Sequence, residues 1–158
     1  MPGRGATLRS FIAGQYRSES LAAVFEVADR ELLPGVPLDV QVRATLVPLL
    51  LPHLTEAIEQ VIANQQNSPL SRQFAQALLS YVLNPLDLFS GDGFFSWLDD
   101  VMICALGLSR LEQIDLVDLD PHTAACCQVA LELLPVLPDP LRDAIEAHVT
   151  QAWQKTHP

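Results

Sequence analysis

Apolar positions recur at helical spacing along most of this chain. Leu21, Val24, Phe25, Ala28 and Leu32 fall on one face of a segment that Ser18 or Ser20 can cap, and Pro34-Gly35-Val36-Pro37 stops it. Asp39 opens a second helix toward Leu51, with Pro48 as a kink and Pro52 as a stop. Leu54–Asn64 follows with Ile58, Val61 and Ile62 apolar, and Asn64-Gln65-Gln66-Asn67 is a polar connector. Later starts share one grammar. Ser68-Pro69, Asp120-Pro121 and Asp139-Pro140 each set a capping side chain before a proline at the first helical position, where a missing N–H costs nothing. They predict helices over about 69–83, 121–134 and 140–155, and Phe94–Leu108 and Ser109–Val117 read as helical between them. No sustained alternation signals a strand, and Asp92-Gly93 precedes a helical segment rather than joining two strands. No repeat recurs at a fixed period.

The predicted fold is all-α: one irregular or orthogonal bundle of roughly six to eight helices with proline-punctuated turns, filling 1–158 as a single domain with residues 1–10 loose. A length of 158 residues and 49% apolar residues fit that expectation and exclude a mainly disordered chain.

Charge narrows the partners. Nineteen acidic residues against nine basic ones give a net charge of −10. The basic residues are Lys155 and scattered arginines, never adjacent, so the phosphate neutralisation that nucleic-acid binding needs is missing. A cationic ligand or partner is electrostatically easier. The excess is also local. Between Asn84 and Asp120, seven Asp and Glu112 face Arg110 alone, which is seven of the ten net negative charges.

Met1–Gly14 carries Arg4 and Arg9 but lacks the apolar core of a secretory signal. The uncharged stretches Ala44–Thr55 and Gln73–Leu86 are shorter than a membrane span needs, so no transmembrane segment is expected. Cys104, Cys126 and Cys127 form no disulfide framework and no CxxC zinc pattern; they suit a reducing compartment, and the expected location is cytoplasmic.

The window Tyr81–Arg110 stands apart. Half of the ten aromatic residues lie in it: Tyr81, Phe89, Phe94, Phe95 and Trp97. So do Asp87, Asp92, Asp99 and Asp100 among apolar neighbours. Pro85-Leu86-Asp87-Leu88 follows a helix, and Leu98-Asp99-Asp100 heads another. With these residues the segment, about 79–110, resembles the YkvA-like family, a bacterial domain of unknown function. Ser90-Gly91-Asp92 stands where that family has Pro-Asp, and the Asp87–Asp99 interval is one residue short. The resemblance implies a helix-turn-helix segment within a larger helical domain and a role peripheral to a membrane.

Two chemistries fit the acidic cluster Asp87, Asp92, Asp99 and Asp100. The carboxylates can tie down a turn and cap free amides. Alternatively, they can supply oxygen ligands to a divalent cation, as a binding site or as part of a metal-dependent hydrolase. Their spacing does not fit an EF-hand loop. His122 and Cys126, at i and i+4, share a helix face and form half of a tetrahedral zinc site. His53 beside Pro52 reads as a turn or packing residue. There is no GxSxG, glycine-rich phosphate loop or HExxH, so no cofactor and no catalytic residue is assigned, and the balance is against an enzyme. The apolar runs Leu46–Pro52 and Leu133–Pro138 need cover on several sides, from a central position in the bundle or from a subunit interface. The expected function is that of a non-catalytic helical protein acting through protein contacts, a homodimer among them.

Overall fold

A computed structural model describes residues 35–82 and 97–158, and its regular structure there is entirely helical. The expected Leu21–Leu33 helix, the loose residues 1–10, and Asp87 and Asp92 lie outside the described residues. Helix α1 is Leu38–Leu46; a 3-10 turn, Val47–Leu50, links it to α2, Leu51–Ala63. Then come α3 (Pro69–Val82), α4 (Leu98–Ile114), α5 (Pro121–Leu131), a 3-10 turn at Leu134–Val136, and α6 (Asp139–Thr156).

The all-α expectation holds among these residues, but two boundaries differ from the sequence reading. Pro52 does not stop a helix. It sits in the first turn of α2, where its missing N–H has no helical partner to lose. Pro48 has the same place in the 3-10 turn, so the run passes through Val47–Leu50 into α2 rather than ending. The second difference is α4. Leu98–Ile114 is one uninterrupted helix, so Ser109 does not start a new one.

The centre of the core is α4, not the Leu46–Pro52 run. It packs against α2, α3, α5 and α6. Leu98, Val101, Met102, Ile103, Cys104, Ala105, Leu108 and Leu111 on it are fully buried. From Leu98 to Leu108 only Leu106 is half-buried and the rest is buried, as a stretch apolar on all sides requires, while Glu112, Gln113 and Ile114 at the end of α4 are exposed. Gly107 lets α3 approach closely, since a β-carbon there would lie 2.7 Å from Leu78 Cδ2. The Leu46–Pro52 run divides: Val47, Pro48, Leu51 and Pro52 are buried, while Leu46 and Leu49 are exposed. In the second run, Leu133 and Leu137 are buried and Pro135 is exposed.

The stretch Leu38–Ala63 is long and apolar enough to cross a membrane by length and composition, but half of its most apolar window is buried inside the protein. A core helix of a folded domain has that same signature.

Caps follow the grammar at two of three starts. Ser71 N–H donates to Ser68 Oγ at 3.1 Å, and Thr123 N–H donates to Asp120 Oδ1 at 2.9 Å. At α6 the helix begins one residue earlier, after Pro138, and Asp139 instead pairs with Arg142.

The far end of α6 is fastened to the core. His157 Nε2 lies 2.9 Å from Asp115 Oδ2, the same oxygen that accepts the Ser71 hydroxyl at 2.6 Å. The His157 ring stacks on Trp153 with centroids 3.7 Å apart, and Trp153 meets Phe74 edge to face at 4.9 Å.

Candidate functional site

The densest grouping of metal-ligating side chains among the described residues lies where the first turn of α2 meets α5. His53 is the third residue of α2; His122 is the second residue of α5, and Cys126 follows one turn later. One ligand atom from each of these residues lies within 4.8 Å of the others. Cys126 Sγ is 3.9 Å from His122 Nε2, and the two imidazole rings meet edge to face with centroids 4.7 Å apart. Cys126 is buried, His53 half-buried and His122 exposed, so the cluster grades from core to solvent.

The local sequence explains the placement. Both histidines follow a proline in a helix's first turn, Pro52-His53 and Pro121-His122. Asp120 caps α5 and so fixes where Pro121, His122 and Thr123 project. Its Oδ1 accepts the Thr123 N–H, and its Oδ2 accepts the Thr123 hydroxyl at 2.7 Å. The Thr123 side-chain bond and then its backbone bond hold the Asp120 carboxyl below its ordinary value of 3.8.

That network assigns the His53 tautomer. Thr123 gives its hydroxyl hydrogen to the ionised Asp120, so its oxygen accepts at His53 Nε2, 3.0 Å away. His53 Nε2 therefore carries hydrogen, and neutral His53 keeps its lone pair on Nδ1. A carboxylate acting through a hydroxyl thus orients an imidazole, the kind of outer-shell support that metal-ligating histidines use.

Burial is the leading influence on all three thiols. Burial, followed by the Asp100 charge, raises the Cys104 thiol well above its ordinary value. Burial and then Cys126 push Cys127 up to about 12. Burial and then Asp120 also raise Cys126. Thiols so placed are protonated and weak as nucleophiles, which argues against cysteine catalysis.

The acidic cluster is only partly described. Asp99 and Asp100 stand in the first turn of α4, both buried, at the helix end that favours negative charge. Tyr81 donates its hydroxyl hydrogen to Asp99 Oδ2 at 2.8 Å, joining α3 to α4. The described half of the cluster therefore includes a bond that ties helices together. Asp87 and Asp92 lie outside the described residues.

A second surface feature is apolar. Leu38, Val42, Leu46 and Leu49 are 68%, 37%, 50% and 46% exposed, at spacings of four, four and three residues along α1 and the 3-10 turn. Beside them a groove of about 230 Å³ is lined by Arg43, Leu46, Val47, Leu50 and Val129. Arg43 reaches Glu132 at 3.4 Å across an exposed rim.

The structure thus sets Cys126 Sγ 3.9 Å from His122 Nε2 and adds His53, which the sequence presents as a turn or packing residue. Only the repeated Pro-His dipeptide in two first turns could have hinted at it. No protein-family model, curated protein or solved structure matches the chain.

Proposed function

We propose that the chain is a non-catalytic helical protein that works through contact with a second copy of itself, using the apolar face of α1. The observation that carries this reading is the exposed row Leu38, Val42, Leu46 and Leu49. A row at helical spacing can meet its own copy across a two-fold axis, each residue opposing an equivalent one. Exposed large apolar residues gathered on one face, rather than scattered singly, mark an interaction surface. The adjoining groove and the Arg43–Glu132 rim give that face an apolar centre and a polar edge.

The finer architecture belongs to the same proposal: one irregular bundle of six to eight helices, with the YkvA-like segment at about 79–110 embedded in it. The free cysteines support a cytoplasmic setting. The raised thiols and the Tyr81–Asp99 bond support a structural rather than a catalytic use of the core. The acidic-cluster alternative, a divalent cation held by Asp87, Asp92, Asp99 and Asp100, has in its favour that Asp99 and Asp100 are buried side by side.

Light scattering on the full chain over a range of concentrations tests the contact reading. A dimer is expected, reduced to a monomer by Leu38→Asp with Leu46→Asp while helical circular dichroism is unchanged. A monomeric native chain at every concentration overturns it. A monomer that floats with neutral lipid vesicles, and loses that with the same substitutions, assigns the face to a membrane surface instead.

A further inference from the structure

We propose that His53, His122 and Cys126 form a binding site for one zinc-class ion, with Thr123 and Asp120 as its outer shell. The proposal stands apart from the α1 contact, which lies on other residues.

The donor set decides the class of ion. Two imidazoles and one thiolate are borderline-soft ligands that suit zinc, cobalt(II) and copper; magnesium and calcium ask for several oxygens, which these three side chains do not offer. Tetrahedral zinc bonds of about 2.0–2.3 Å place ligand atoms about 3.4–3.7 Å apart. The Cys126–His122 separation of 3.9 Å is already close to that, and the whole set lies within 4.8 Å. Closing the rest asks for a small movement, and His122, being exposed on a first turn, has room to make it.

Several features converge on the same place. The ligands come from two helices that the fold packs together, α2 and α5. The Thr123–Asp120 relay holds one ring nitrogen of His53 as a donor and leaves the other with its lone pair. Asp120 adds a negative charge beside the site, which offsets the positive ends of the two helices there. Three protein ligands leave a fourth position for water or a small molecule, as in open zinc sites.

Ligation balances simply. The Cys126 S–H bond breaks, its proton passes to solvent, and a sulfur–metal bond forms; the imidazoles bind as neutral lone-pair donors, with no change in oxidation state.

Cobalt(II) titration of the full, reduced chain is the direct test. One equivalent of cobalt is expected to give a thiolate-to-cobalt band in the near ultraviolet and strong visible bands of a tetrahedral site, both removed by one equivalent of zinc. His122→Ala, at an exposed position that does not threaten the fold, should abolish the bands. Thr123→Val should weaken zinc binding by about 10–100-fold, the usual loss for an outer-shell partner. Cys126→Ser should remove the ultraviolet band. Absence of a thiolate–cobalt band in the native chain overturns the proposal, as does a band that survives His122→Ala.

Discussion

The Tyr81 hydroxyl and the Asp99 carboxylate, eighteen residues apart in sequence, meet at 2.8 Å inside the core. The bond joins the end of α3 to the first turn of α4, and the Tyr81 ring lies against His148 of α6, centroids 4.3 Å apart. One side chain therefore links three helices. Tyr81→Phe keeps the ring and removes only the donor. Its expected cost is about 1.5–3 kcal/mol, the range for a hydrogen bond to a charged group. Urea denaturation measures it, and a midpoint equal to that of the native chain would show that the bond contributes nothing.

Gly107 and Leu78 make a second testable pair. A methyl group at Gly107 would lie inside van der Waals contact with the Leu78 side chain, which is itself fully buried. Alanine raises helix propensity by about 1 kcal/mol over glycine, whereas forcing extra carbon into a packed core costs about 1–3 kcal/mol. The two compete, and the close approach favours the second. Gly107→Ala is expected to be destabilising alone, yet less so in a Leu78→Ala background, where the space it needs has been vacated. A double-mutant cycle reads that coupling directly, and simple additivity would sink the idea.

What was legible in the sequence was local. Ser68 and Asp120 announce helix starts because a cap bonds amides only three residues on, at Ser71 and Thr123. Pro52 is ambiguous in the sequence because a proline marks both a helix end and a helix first turn, and only the preceding 3-10 turn decides which. The break expected at Ser109 does not occur because the fully buried Leu108 and Leu111 on either side of it tie this stretch of α4 to the core, which outweighs a weak local preference. Asp99 and Asp100 could be found as a pair, but Tyr81 could not be assigned to Asp99. His53 was the least legible: it meets Thr123 seventy residues away, a contact that exists only once α2 and α5 are packed.

The Asp120 cap predicts a pH signature. Its carboxyl is held below 3.8, chiefly by the two bonds to Thr123, so the ionised form favours the folded chain. A depressed carboxyl contributes stability above its unfolded value and loses it as pH falls through the folded one. Asp120→Ala should therefore lower the melting temperature at pH 5–7, and the gap from the native chain should close as pH drops below 3.8. Melting curves of both proteins across that range provide the check. A gap that persists unchanged well below the folded value would mean that Asp120 acts by something other than its charge.

The thiol predicts the opposite end of the scale. Cys126 faces His122, His53 and Asp120, with Cys127 next to it, and burial and then the Asp120 charge raise its pKa. At neutral pH it is therefore a thiol, and a metal must displace its proton to bind. Each zinc ion should release one proton from this residue, and apparent affinity should rise about tenfold per pH unit from pH 7 to 8. The rise has no reason to level off until pH reaches the raised value of the thiol. Thr123→Val should lower the whole curve without changing its slope, because it alters the orientation of His53 and not the proton that sulfur gives up. Cys126→Ser should flatten the curve, since a serine hydroxyl is not displaced in the same way. Competition against a chromophoric chelator at several pH values separates these cases. A native affinity independent of pH would show that sulfur is not a ligand, even if the two histidines still hold the ion.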